Sequence, residues 1–204
     1  MEASVRPLRA DAARNRARVL DAARTAFAEA GLDVGVEEIA RRAGVGKGTL
    51  YRRFPTKEAL VRAIFEDILD EMERNVAASA AVEDAGEAFE HYLNSAARMQ
   101  ASNQGFFDVV AHGLGAGALT DEQRRRIVAA ATGPLQRAQA AGAIRDDLKP
   151  EDMWLILRMI GTTTRPAPDG TSMDERWPRY LGLMLDALRP GAATPLPAEP
   201  WRLN

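Results

Sequence analysis

Residues 36–60 read V-E-E-I-A-R-R-A-G-V-G-K-G-T-L-Y-R-R-F-P-T-K-E-A-L, two short amphipathic patterns on either side of a glycine. Val36, Ile39, Ala40 and Ala43 recur at i, i+3, i+4 and i+7, which places them on one face of a helix of about two turns. Gly44 supplies the left-handed residue that ends this helix and reverses the chain. Val45 plugs the corner, and Leu50 with Phe54 gives the next helix its inward stripe. Lys47, Gly48, Thr49, Tyr51 and Arg52 are left facing outward. This is the layout of a helix-turn-helix, whose second helix enters the DNA major groove. Gly48 allows close backbone approach to bases. Thr49 and Tyr51 offer hydroxyls to phosphates, and Lys47 and Arg52 reach guanine acceptors or phosphate oxygens.

Working outward, Val19, Leu20, Ala23, Phe27 and Ala30 form the inward stripe of a first helix, expected from about Asp11 to Ala30 and stopped by Gly31. Residues 1–10, with Arg6 and Arg9 beside Pro7, show no periodicity and are expected to be a basic arm. Arg14, Arg16 and Arg18 lie on the outward side of the first helix. Thr56 is placed to cap a fourth helix running to about Ala78. Its broad apolar stripe of Leu60, Val61, Ile64, Phe65, Ile68, Leu69 and Met72 suits a helix buried between two layers. Lys57 at its start is expected against a phosphate.

The run Ile39-Ala40, Ala43-Gly44-Val45, Gly48-Thr49-Leu50-Tyr51, Phe54, Lys57-Glu58, Leu60 resembles the N-terminal domain of the TetR family of bacterial regulators. Leu20, Ala23, Phe27 and Gly31 match the first helix of that domain, so the resemblance covers roughly residues 11–60. Where the family usually carries Thr or Ser before the second helix and Ser before the third, this chain has Gly35 and Gly46. Gly at an N-cap costs only about a few tenths of a kcal/mol against Ser, but the hydroxyls are missing as phosphate donors. The stretch 123–152 is similar to one branch of TetR-type C-terminal domains. The resemblance implies a homodimer that binds a pseudo-palindromic operator in double-stranded DNA. It also implies an all-helical body that takes a small-molecule effector, here expected to be apolar, and releases DNA on binding it.

Composition agrees with an all-α protein. The chain has 204 residues, 46 % hydrophobic, 6 % aromatic and without cysteine, which excludes disulfides and thiolate chemistry and suits the cytoplasm. No apolar run reaches the length of a membrane span. Charge is lopsided. Residues 1–57 hold 12 Lys/Arg and 7 Asp/Glu, net +5, and residues 58–204 hold 15 and 22, net −7. A basic head on an acidic body fits a phosphate-binding module joined to a domain that does not touch DNA.

The expected organisation is a three-helix DNA-binding domain at 1–56, a ligand-binding and dimerisation domain at 57–190, and a Pro-rich tail at 191–204, with about nine helices. In the body the pattern predicts helices at about 83–101 and 104–114. Another follows from Thr120, which forms a capping box with Gln123, to about Ala141. The next begins at Pro150, and the last begins near Pro178 and ends before Pro190. The last two are the most apolar, so Trp154, Leu181, Met184, Leu185 and Leu188 are the candidate dimer interface. Tyr92, Met99, Phe106, Phe107, His112, Met153 and Leu157 are the candidate effector contacts; the alternative is that they only pack the bundle.

Catalysis has no support. The run Gly44-Val45-Gly46-Lys47-Gly48-Thr49 fails as a phosphate loop, since Gly follows the lysine and a helix rather than a strand precedes it. His91 and His112 have no metal-ligand spacing, so neither a metal nor a cofactor is expected. Two other functions compete with the ligand-released repressor: a DNA-binding protein with no small ligand or with a protein partner, and an enzyme carrying a DNA-binding head.

Overall fold

The structure, a computed structural model, describes residues 5–113, 119–162, 177–192 and 194–196. Among them are eight α-helices and no strand: α1 Val5–Ala30, α2 Val36–Ala43, α3 Lys47–Arg53, α4 Lys57–Ala80, α5 Ala85–Gly113, α6 Asp121–Ala140, α7 Pro150–Thr162 and α8 Trp177–Leu188. They fall into two compact units. The first is Met1–Asp67 with Gly105–Ala118, and the second is Ile68–Gln104 with Leu119–Asn204.

In the first unit, α1, α2, α3 and the start of α4 close on Leu20, Phe27, Ile39, Leu50, Leu60 and Ile64, all essentially inaccessible to solvent. Thr56 caps α4 by accepting a 3.1 Å hydrogen bond from the Ala59 amide. Phe106, on the last part of α5, is fully buried here. Its ring lies 6.5 Å from Phe27 and 5.3 Å from Phe65. Gly105 makes this approach possible, since a Cβ at that position would lie 2.8 Å from the Cβ of Ala28 on α1.

The second unit is a helical body with one core. Phe89, Tyr92, Leu93 and Ala97 of α5 pack with Leu135 and Ala138 of α6, Met153, Ile156 and Ile160 of α7, and Trp177, Leu181 and Leu188 of α8. Thr120 and Gln123 form the expected reciprocal capping box at the start of α6. Gly142, at φ +66°, ends α6 in a Schellman turn, with the amides of Ala143 and Gly142 on the carbonyls of Ala138 and Gln139. Arg126 pairs with Asp70 and Glu73 at 2.9 and 2.7 Å.

Three local expectations change. Helix α1 begins at Val5 rather than near Asp11, so residues 5–10 are helix and not an irregular arm. Pro7 is tolerated because first-turn amides need no intrahelical partner, and Asp11 pairs with Arg14 one turn on instead of capping. The two helices expected at 83–101 and 104–114 are one, α5, which leaves eight α-helices among the described residues where about nine were expected. The polar residues at the supposed break bend back onto their own helix: Ser102 donates to the Arg98 carbonyl at 3.0 Å and Asn103 to that of Met99 at 2.7 Å. Finally, the start of the expected tail is held in place. The Arg145 guanidinium donates to the Thr194 carbonyl at 2.6 Å, and the Leu196 amide to the Asp147 carboxylate at 3.3 Å. Arg145 and Leu196 together hold that carboxyl at about 2, below its ordinary value of 3.8.

Candidate nucleic-acid interface

The turn that presents α3 is built from backbone alone. Gly44 sits at φ +64° and ψ +35°. The amides of Val45 and Gly44 reach the carbonyls of Ala40 and Arg41 at 3.0 and 3.2 Å, the paired bonds of a Schellman turn. Gly46 then caps α3 from an extended conformation, with no side-chain bond to the helix. Gly35 does the same for α2.

Helix α3 buries Leu50 and leaves Lys47, Gly48, Thr49, Tyr51, Arg52 and Arg53 exposed; Phe54 closes its end against the core. Tyr51 is 39 % exposed, with the Lys47 ammonium 5.7 Å from its ring centroid. A Cβ at Gly48 would meet no atom of the protein within 4 Å. Internal packing therefore does not require a glycine there.

The cations differ in how much they are already matched. Lys47 pairs with Glu37 on α2, which raises the pKa of the lysine and lowers that of the glutamate. Glu38 takes two bonds from Arg41, at 2.6 and 2.8 Å, and one from Arg42 at 2.8 Å. Arg42 also reaches Glu29. Arg16 and Arg24 of α1 share Asp67 of α4 at 3.4 and 3.1 Å. Among the described residues Arg52 and Arg53 have no carboxylate partner; Arg52 touches only the Thr49 hydroxyl, at 3.4 Å. Arg53 was missing from the sequence-based set, although its place beside Arg52 in the last turn of α3 was legible.

Five of the six expected DNA contacts thus share the exposed side of α3. The sixth, Lys57, is half-buried on α4 and gives its ammonium to the Leu32 carbonyl at 2.9 Å, where it ties the loop after α1 to the start of α4.

The Glu38 network has a pH signature. Hydrogen bonds from Arg41 and Arg42 hold its carboxyl at about 2, against an ordinary 4.5. A depressed native value means that the stabilisation is complete above the unfolded value and disappears as pH falls through the native one. The wild type should therefore melt above Glu38→Gln near pH 6, with the gap closing between about pH 4.5 and 2. A gap in Tm that does not change with pH would assign the difference to something other than this carboxylate.

The other candidate residues are divided between the two units. Tyr92 and Met153 are fully buried in the body core, and Leu157 packs against it; burial pushes the Tyr92 hydroxyl pKa up. Met99 is half-buried on α5. Phe106 and Phe107 belong to the first unit, Phe107 lying 6.2 Å from Phe65. The side chain of His112 lies outside the described residues. Of the candidate interface residues, Leu181 and Leu188 turn into the chain's own core, because α8 is apolar around most of its circumference and the core takes one side. Met184 and Leu185 are partly buried against that core. Trp154 is half-buried under the Arg158 guanidinium, 5.5 Å from its ring. The large apolar residues that α7 and α8 leave exposed are instead Leu155, Met159, Tyr180 and Leu183.

Comparison with known proteins agrees with this geometry. Residues 19–64 match the model for bacterial regulatory proteins of the tetR family. Residues 84–190 match the model for the C-terminal domain of SbtR-like transcriptional regulators. A TetR transcriptional regulator of known structure from Streptomyces coelicolor is 35 % identical, with a TM-score of 0.67 over 86 % of this chain and 98 % of its own.

The chain belongs to the TetR family of transcriptional regulators.

A second TetR regulator, from Mycobacterium vanbaalenii, is 36 % identical, with a TM-score of 0.65 over 90 % of this chain and 99 % of its own. A structure concerned with control of antibiotic production by a bacterial hormone is 25 % identical, with a TM-score of 0.66 over 85 % and 97 %. As a TetR-family chain the protein is a DNA-binding regulator, with α2 and α3 as its helix-turn-helix. No described helix is long and apolar enough to cross a membrane.

Proposed function

We propose that this TetR-family regulator is a cytoplasmic repressor that binds a pseudo-palindromic operator as a homodimer and is released by a small, mainly apolar effector. The observation that carries the DNA-reading part is the outer side of α3. It presents two cations without carboxylate partners, two hydroxyls, and a glycine that the protein's own packing does not need. Lys47, Tyr51 and Arg52 are the candidate contacts to phosphates and base edges, with Thr49 beside them and Arg53 added to the set. Two such helices enter successive major grooves when the dimer holds them about 34–36 Å apart or a multiple of that. An effector that favours a body conformation with a different spacing releases the operator, by as much as it prefers that state, commonly about 1–3 kcal/mol. The structure at 25 % identity, which concerns control of antibiotic production by a bacterial hormone, supports a trigger of that kind.

Gly48→Ala tests the interface because it should act in opposite directions on folding and on binding. In a helix, Ala gains about 0.5–1 kcal/mol over Gly, and the added methyl meets nothing in the protein. The variant should melt at or above the wild-type temperature and yet bind operator more weakly by fluorescence anisotropy, since the methyl stands between the helix and the base edges. Unchanged operator affinity would remove α3 from the contact surface.

The reading without a small ligand draws on the burial of Tyr92 and Met153 in the body core. It requires an operator affinity that no apolar compound alters.

A further inference from the structure

The inward stripe of α5 runs through Phe89, Tyr92, Leu93, Ala96 and Ala97 and then changes chemistry, with Gln100 and Asn103 buried on the same side. Residues 100, 103 and 104 are neighbours on the helix surface. Gln100 Nε2 donates to Gln104 Oε1 at 3.2 Å. Both amides press on Gly161 of α7, where a Cβ would lie 2.6 Å from Gln104 Oε1 and 2.7 Å from Gln100 Cγ. Gln100, buried, and Gln104, half-buried, therefore set amide surface of α5 against α7.

Asn103 is 2 % exposed. Its Nδ2 donates to the Met99 carbonyl at 2.7 Å, and this bond fixes the orientation of the amide, because the opposite one would set two oxygens against each other. Oδ1 is left buried with no hydrogen-bond partner. An acceptor taken out of water and given no donor is costly, so buried polar groups are nearly always matched by protein, water or ligand. A leucine at 103 would continue the apolar stripe without that loss. Among the described residues the buried polar side chains are Ser79, Gln100, Asn103 and Gln123, with no lysine or arginine. A charged carboxylate entering here would meet no fully buried cation among the described residues.

We propose that Asn103 Oδ1, beside the Gln100–Gln104 pair, is the polar anchor of a small-molecule site in the body. The site takes a neutral, mainly apolar molecule through a hydroxyl or N–H donor. This rests on the ligand-gated reading above and adds to it the chemistry of the ligand.

The test is thermal unfolding of the full-length protein with three probes of matched chain: 1-decanol, which has a donor, decyl methyl ether, which has only an acceptor, and decanoate. Wild type should be stabilised most by the alcohol, less by the ether and least by the carboxylate. Asn103→Leu should melt above wild type without probe, and alcohol and ether should then act equally. Asn103→Ala makes the same comparison if leucine is not accommodated. Equal stabilisation of wild type by alcohol and ether would overturn the Asn103 assignment while leaving apolar binding in place, as would an alcohol preference that survives both substitutions. If no probe shifts wild type, the assignment and the ligand-gated reading fall together.

Discussion

Leu155→Glu combined with Leu183→Glu should leave a folded chain that no longer pairs and no longer holds its operator. Leu183 on α8 is 58 % exposed, and Leu155 on α7 and Tyr180 on α8 are also exposed, so a charge at these positions stays in water and does not disturb the subunit's own core. In a paired assembly the same side chains would be buried, and an unmatched carboxylate there costs several kcal/mol. Losing the pair turns two linked half-site contacts into independent ones, a loss of roughly 10²–10⁴ in operator affinity. Light scattering should report the monomer mass, with helical circular dichroism unchanged. Leu181→Glu is the contrasting case. Leu181 is 2 % exposed and lies inside the body core, so that substitution should unfold the body rather than separate subunits. A double variant that remains a dimer would move the interface away from this face.

Phe106→Ala should lower the stability of the first unit by about 3–5 kcal/mol, the usual cost of emptying a fully buried aromatic site. Phe106 lies far from the helix-turn-helix in sequence, yet its ring is packed among Phe27, Phe65 and Phe107. The variant should show an early unfolding transition and lose operator binding at temperatures where the wild type retains it. If the effector residues included Phe106, as its sequence neighbourhood suggests, the substitution would instead change effector response and leave ligand-free DNA binding alone. Unfolding followed by both circular dichroism and operator anisotropy separates the two.

Local signals in the chain were legible where a single turn of backbone decides the outcome. Gly44 adopts the left-handed geometry expected of it, Thr120 and Gln123 close their box, and α7 begins at Pro150. The outward row on α3 was equally readable, because only Leu50 in that short helix is apolar enough to be drawn inward. What remained hidden depends on packing between distant segments. Nothing local to Phe106 shows that it leaves the body for the first unit. Nothing in α8, apolar at 180, 181, 183, 184, 185 and 188, says which side the core takes, so Leu181, expected at the interface, lies in the core while Leu183 is exposed. Asn103 was overlooked for the opposite reason. Its position on the α5 stripe was readable, but that its acceptor stays unmatched is visible only once the neighbouring helices are in place.

The carboxylates Glu29, Glu37 and Glu38 bear on how such a protein finds one site in a genome. By holding Arg41, Arg42 and Lys47, they leave fewer cations ready to displace counterions from any duplex the head meets. On the proposed DNA-reading role, affinity for arbitrary DNA, which comes almost wholly from that displacement, should be kept low. Occupancy of the operator depends on the ratio of right to wrong binding multiplied over all competing sites, and these three acidic side chains should raise that ratio where the operator draws Lys47 away from Glu37 and arbitrary DNA does not.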